Sequence, residues 1–138
     1  MRGRALAGLT VLVAISFACS QNGNMSAGDA IGTTWALIEV GGAAVDTTQV
    51  NRAPTLTLHA DGRASGNAGC NQFGGEYELT ASTLRFGVLG MTRMACPGRM
   101  EVETAYAAAL EATTEWRLRN GMLELLGNGR VLARFRRS

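Results

Sequence analysis

Three side chains in the body of the chain could bind a soft metal ion, namely Cys70, Cys96 and His59, the only histidine, and the two cysteines could also form a redox site. Zinc and redox sites usually present paired ligands at short spacing, such as C-x-x-C, and no such pair occurs here. Three interpretations of the two cysteines therefore stay open: a structural disulfide, a metal or redox site, and two buried thiols that never pair. The compartment of the protein bears on this choice.

Asn71, Thr92 and Arg93 flank the cysteines and are the candidate binding residues. Asn71 lies in a glycine-rich segment, where an asparagine side chain typically bonds to the nearby backbone of a turn. Arg93 could bind an anionic ligand, although tying down loop carbonyls or pairing with Glu101 or Glu103 is the simpler interpretation.

Groups suited to catalysis are scarce. The chain has no lysine, and His59 is expected to be solvated beside a turn because no serine or acid can be placed next to it from the sequence. Catalysis needs an activated nucleophile or a pair of titrating groups in a pocket. We therefore expect a non-enzymatic protein with no catalytic residues, no bound metal and no cofactor.

The N-terminus has the pattern of an export signal. Arg2 and Arg4 precede a short apolar stretch, residues 5–17, and a small residue closes it at Ala18. At about 1.5 Å per residue the stretch covers roughly 20 Å, less than the ~30 Å hydrocarbon core of a bilayer. The pattern predicts a signal peptide over residues 1–18.

Two peptidases could process this segment. A small residue before Cys19 suits a lipoprotein site, with lipidated Cys19 as the first mature residue, although Ser16 stands where that pattern usually has leucine. Residues 16–18 also fit the small-x-small site of the ordinary signal peptidase. Lipidation is favoured because residues 19–33 are polar and poor in bulky apolar groups, as expected of a flexible tether.

Export favours a disulfide between Cys70 and Cys96, since oxidising compartments let such a bond persist. Closing a loop of this length would restrict the unfolded chain by about 3.5 kcal/mol in the chain-entropy model. We expect the protein in the cell envelope, lipid-anchored to a membrane and facing the periplasm, or secreted if Cys19 carries no lipid.

Charge argues against nucleic acid as a partner. The chain has 13 basic and 11 acidic residues, and removal of residues 1–18 takes away two arginines and no acid. The mature chain is therefore near neutral and has no basic field. Residues 34–138 are long enough for one domain and too short for two.

Alternating apolar residues separated by turn signals predict a mainly β domain. Asn120-Gly121 is the strongest hairpin signal. An alanine- and glutamate-rich segment, residues 99–114, predicts one helix, with Glu101 and Glu103 in its first turn. About seven or eight strands should form an antiparallel, partly open β-barrel or strongly curved sheet with the helix packed against it. The predicted strands are 34–40, 54–60, 63–68, 76–80, 83–86, 115–119, 123–125 and 131–136.

Two segments carry a family resemblance: Gly69-Cys70-Asn71-Gln72-Phe73-Gly74-Gly75 and Met91-Thr92-Arg93-Met94-Ala95-Cys96-Pro97, followed by the acidic helix. Together with the Trp35 strand and Asp61-Gly62-Arg63 they resemble the META domain of the bacterial HslJ-like family, over roughly residues 34–135. The resemblance implies a small, partly open barrel with a helix, commonly on a lipoprotein or secreted precursor, and an association with envelope stress. It brings no catalytic residues.

Three functions follow as hypotheses. The first is a non-enzymatic, stress-associated envelope protein that binds or stabilises an unknown envelope partner. The second is a barrel that holds an apolar ligand, an acyl chain or a peptide, between sheet and helix, as a pilot or chaperone. The third is a protease inhibitor that uses the loop between the cysteines.

Overall fold

Antiparallel strands joined by tight turns build the chain into a barrel. The computed structural model describes Gly3 and residues 26–138. The predicted cleavage and lipidation at Cys19 lie outside the described residues, as does the predicted signal peptide apart from Gly3. No helix in the described part of the chain is long and apolar enough to cross a membrane.

Most predicted elements lie within a few residues of their observed positions. Asn120 and Gly121 both have positive φ, 53° and 74°, as the tight hairpin between residues 115–119 and 122–127 requires. The helices are α1 (Ala27–Ala30) and α2 (Glu101–Ala112), with a 3₁₀ turn at Thr47–Gln49. The strands are β1 (Thr34–Val40), β2 (Ala43–Ala44), β3 (Thr55–Leu58), β4 (Arg63–Asn67), β5 (Gln72–Leu79), β6 (Leu84–Phe86), β7 (Gly90–Met91), β8 (Glu115–Arg119), β9 (Met122–Gly127) and β10 (Arg130–Arg137).

Eight strands form the wall of the barrel, in the order β6-β5-β4-β3-β1-β10-β9-β8. The first and last strands of this order meet through an antiparallel bridge between Thr83 and Glu115. Leu84 N also donates to Thr114 O at 3.2 Å. The sheet is therefore nearly closed, which confirms the predicted fold class.

The barrel interior is filled by apolar side chains. Helix α2 contributes Tyr106, whose ring packs edge-on to Phe73 at 5.7 Å between centroids and tilted against Phe135 at 5.8 Å. The Tyr106 hydroxyl donates to Thr55 O at 2.9 Å, so the buried phenol is satisfied. Burial raises the pKa of Tyr106 well above its ordinary value. The interior also holds fully buried Trp35, Leu56, Leu58, Leu84, Leu123, Leu125 and Phe135.

The barrel has two different ends. The helix end carries α2, the connection before it, and the turns at residues 41–42, 68–71 and 128–129. The terminal end carries α1, the C-terminus, and the turns at residues 59–62 and 120–121.

Residues 26–33, which the sequence assigned to the flexible tether, pack on the terminal end. Ala30 is fully buried and its carbonyl accepts the indole N–H of Trp35 at 3.0 Å. Gly32 N donates to Leu58 O at 2.8 Å. The remaining part of the predicted tether, residues 19–25, lies outside the described residues.

The glycine-rich segment after Cys70 differs from the prediction. The glycines predict a turn, but Gln72–Leu79 is a continuous strand, β5, that pairs with β4, β6 and β7. Gly75 lacks a side chain because a Cβ there would lie 2.7 Å from Val88 O and 2.9 Å from Leu89 Cδ2. The glycine therefore lets residues 88–89 pack directly on the strand.

A row of charges crosses four strands on the outside of the barrel. Glu124 is almost fully buried and accepts from Arg117 Nε at 2.6 Å and from Arg134 Nε at 3.3 Å. Arg134 also binds both oxygens of Glu39 at 3.0 Å. Burial alone would raise the pKa of Glu124, but the hydrogen bonds and charges of the two arginines outweigh it and lower the pKa.

We expect Glu124→Gln to lower the free energy of unfolding at neutral pH by about 1–3 kcal/mol, because it removes charge-assisted hydrogen bonds from two arginines. The pKa of Glu124 in the folded state lies below its ordinary 4.5, so its contribution is complete at neutral pH and is lost as pH falls through the folded-state value. Urea unfolding between neutral pH and about pH 3 should show the two proteins converging in acid. A difference that stays constant with pH would contradict this assignment.

Candidate functional site

The carboxylate of Glu103 lies at the centre of a polar cluster at the helix end. Glu103 belongs to the first turn of α2 and is 4% exposed. Its Oε2 accepts the backbone N–H groups of Cys70 at 2.9 Å and Asn71 at 2.8 Å, and its Oε1 accepts Asn71 Nδ2 at 2.7 Å. Three N–H donors therefore compensate the burial of this carboxylate.

The side chain of Asn71 uses its full hydrogen-bonding capacity within the protein. Its Oδ1 accepts Thr92 Oγ1 at 3.0 Å and Met94 N at 2.6 Å. Its Nδ2 donates to Met94 O at 3.0 Å as well as to Glu103. The interpretation of Asn71 as a residue that bonds locally within a turn is wrong, since its partners lie more than 20 residues away. Nothing is left on its amide for a ligand.

A disulfide joins the same two segments. Cys70 and Cys96 are bonded, with their Cα atoms 6.2 Å apart, which confirms the predicted pair. Asn51 Nδ2 approaches Cys96 Sγ at 3.0 Å. Among the described residues no group of three or more His, Cys, Asp or Glu side chains could hold a metal ion. The alternatives of free thiols and of a cysteine metal site do not apply to this pair.

In the part of the chain that the structure describes, Arg93 takes neither of the two structural roles suggested for it, a bond to loop carbonyls or an ion pair with Glu101 or Glu103. It is exposed, and within residues 26–138 the salt bridges involve only Arg117 and Arg134. Glu103, one of its expected partners, is occupied by the N–H groups of Cys70 and Asn71. Of the three candidate binding residues, the structure brings Asn71 and Thr92 together and leaves Arg93 facing solvent.

A groove that the sequence did not reveal lies beside the cluster. It runs between α2 and the connection from β6 to β7 and has a volume of about 590 Å³. Val88 is 96% exposed at its edge. The one ionisable side chain in its wall is Glu111. Its other walls are apolar or small: Phe86, Gly87, Val88, Leu89, Met91, Ala107 and Leu110.

His59 has a serine neighbour that the sequence could not place. Its Nε2 lies 2.7 Å from Ser65 Oγ on the outer face of the barrel. Within residues 26–138 its other ring nitrogen forms no hydrogen bond, so the pair has no acid to orient the imidazole as a catalytic triad does. The arrangement is that of a polar pair between neighbouring strands.

The sequence model of the META domain family matches residues 28–138. The chain belongs to the META domain family. This confirms the resemblance carried by the two cysteine segments. The search of curated proteins found no match.

Three solved structures are similar to this chain in fold. A protein from Burkholderia xenovorans, solved by NMR, is 35% identical and aligns with a TM-score of 0.60 over 79% of this chain and 83% of its own. A second NMR structure is 26% identical, with a TM-score of 0.58 over 75% of this chain and 87% of its own. A DUF4847 family protein from Bacteroides vulgatus shares the fold alone, at 13% identity and a TM-score of 0.56 over 79% of this chain and 94% of its own.

We expect Glu103→Gln to destabilise the META domain by about 2–4 kcal/mol, because the amide brings an N–H group against donors that need an acceptor. Glu101→Gln is the matched control: it removes the same charge from the same helical turn at an exposed position and should change stability by less than about 0.5 kcal/mol. Urea unfolding of both variants measures the difference. Equal stability of the two variants would show that the buried carboxylate of Glu103 does not stabilise the domain.

Proposed function

We propose that this META domain protein is an exported, non-enzymatic envelope protein that binds an apolar segment of a partner protein in the groove at the helix end. The observation that carries the proposal is the groove itself, with Val88 almost fully exposed at its edge. Exposed apolar side chains beside a concave apolar surface are typical of interaction sites.

The geometry favours the groove over the barrel interior as the binding site. The interior is filled by Trp35, Tyr106, Phe135 and the leucines around them, so a ligand there would have to displace the core. In the groove, covering a side chain such as Val88 would contribute about 1.5–2 kcal/mol without any change in the fold. An apolar ligand is therefore best accommodated between α2 and residues 86–91.

The cluster around Glu103 supports a positioning role. Its donors and acceptors are used between Cys70, Asn71, Thr92, Met94 and Glu103, which leaves little chemistry for a substrate. By fixing the start of α2 against the connection that precedes it, the cluster sets the width of the adjacent groove. Rigid walls favour binding because less side-chain and loop freedom is lost on association.

Export and anchoring belong to the same proposal. The N-terminal pattern and the Cys70–Cys96 disulfide both suit an oxidising compartment. We place the protein in the cell envelope, tethered through lipid on Cys19, and keep the stress association implied by the HslJ-like resemblance as part of this proposal.

A photo-reactive residue in place of Val88 should crosslink a partner protein in the native envelope, because this side chain lies at the mouth of the groove. The same residue in place of Ala60, exposed in the turn at residues 59–62 of the terminal end, is the control and should give no such product. Ala107→Glu, which puts a charge on the groove wall, should abolish the crosslink from position 88 while the thermal unfolding curve shows a folded protein. Equal products from positions 88 and 60, or lipid in place of protein, would contradict the proposal.

Metabolic labelling with palmitate tests the anchor. We expect label on the wild-type protein and none on Cys19→Ser, since a lipoprotein acquires its acyl chains at that cysteine. Cys70→Ser serves as the control and should keep the label. A wild-type protein that takes up no palmitate would remove the membrane tether from the proposal.

A further inference from the structure

We propose that the terminal end of the barrel is a docking face for anionic phospholipid headgroups, formed by Arg119, Arg136 and Arg137. The inference rests on the proposed envelope location and adds an orientation: the arginine face lies on the bilayer and the helix-end groove points away from it. The partner of the arginine face is a lipid surface, and the inference does not depend on what the groove binds.

Strand register places the first two arginines on one outer surface. Arg119 pairs with Met122 across the β8–β9 hairpin. Leu123, the next residue of β9, pairs with Phe135, so the residue beside Met122 on β10 is Arg136. The inward positions of these strands hold Leu123 and Phe135, both fully buried, and side chains alternate along a strand. Arg119 and Arg136 therefore both point outward, on either side of Met122.

Arg137 continues the patch to the rim of the barrel. Its guanidinium lies 5.2 Å from the ring centroid of Trp35, and its Nη1 donates to Thr33 Oγ1 at 3.2 Å. These contacts hold the charge where the chain enters β1. The patch is therefore adjacent to the segment through which the domain would be tethered.

No carboxylate in the described part of the chain forms a salt bridge with the three arginines. All three are exposed, and every salt bridge in the described part of the chain belongs to Arg117 or Arg134 instead. Asp29 and Asp61 at the same end keep their negative charge, since the backbone N–H groups of Ser26 and Arg63 that they accept are neutral, but neither forms a salt bridge with these arginines. Exposed arginines that no carboxylate of the protein pairs with attract an anionic surface.

The tether brings this patch to the membrane. If Cys19 carries the lipid, residues 19–25 span at most about 25 Å when fully extended. Electrostatic attraction to anionic lipids acts within about one Debye length, ~8 Å at physiological salt, and a tether of this length lets the patch come within that range of the headgroups. Each arginine near such a surface strengthens binding about fivefold.

Vesicle binding tests the inference without the lipid anchor. The protein is residues 19–138 with Cys19→Ser, which contains every described element of the barrel. At low salt it should bind vesicles that contain phosphatidylglycerol and not vesicles of phosphatidylcholine alone. Replacing Arg119, Arg136 and Arg137 with Gln should weaken binding roughly 100-fold, and salt should weaken wild-type binding.

The control removes the same charge from the opposite end. Arg52, Arg93 and Arg130 are exposed at the helix end, and their triple Gln variant should bind like the wild type. Arg137 packs on Trp35, so its replacement also removes a contact within the protein. The double Gln variant of Arg119 and Arg136 keeps that contact, and its vesicle binding should be weaker than that of the wild type by roughly 25-fold.

Failure of the inference is distinguishable from failure of the proposed function. Absence of wild-type binding, equal losses in the two triple variants, or binding that salt does not weaken would overturn the docking face. None of these results depends on palmitate at Cys19 or on crosslinks from Val88, because the tested chain has no lipid and the control variants leave the groove unchanged.

Discussion

One buried carboxylate holds the helix end of this META domain together. Removing Glu103 from water is costly, and the cost is offset because two backbone N–H groups and one amide N–H of residues 70–71 donate to it. Its place in the first turn of α2 is favourable for a negative charge as well. Since Asn71 also binds Thr92 and Met94, the carboxylate, the start of β5 and the connection before the helix form one unit. The disulfide closes the same unit covalently.

This unit decides where the rest of α2 lies. With Glu103 fixed, the next turn places Tyr106 in the barrel, where it meets Phe73 and Phe135 and donates to Thr55 O. The opposite side of the same turn presents Ala107 to the groove, and small residues there leave room beside Val88 and Leu89. The core contact and the proposed binding surface are therefore two faces of one positioned helix. The arginines of the terminal end are separate from both, since strand register places Arg119 and Arg136 and contacts with Trp35 and Thr33 place Arg137.

The sequence predicted those features that depend on local pattern. Alternation placed most strands, Asn120-Gly121 placed a hairpin, and the predicted export signal together with two cysteines favoured the disulfide. The sequence could not predict the hydrogen bond between Asn71 and Glu103. The two residues are 32 positions apart, and neither segment indicates which residues of the other it contacts. The neighbours His59 and Ser65 were missed because the pairing of β3 with β4 decides their contact. The glycines of β5 suggested a turn, although Gly75 serves the close packing of residues 88–89. The sequence places Ala30 in the tether because an alanine in a polar segment does not by itself indicate that the residue is buried.

Amide hydrogen exchange measures the central claim most directly. If the carboxylate of Glu103 holds the backbone of Cys70 and Asn71, these two amides should exchange only through global unfolding, with the same protection as amides in the centres of β9 and β10. The disulfide alone would not produce this result, since it restrains the chain without binding either N–H group. Rapid exchange at both positions, alongside slow exchange in β9 and β10, would contradict the account.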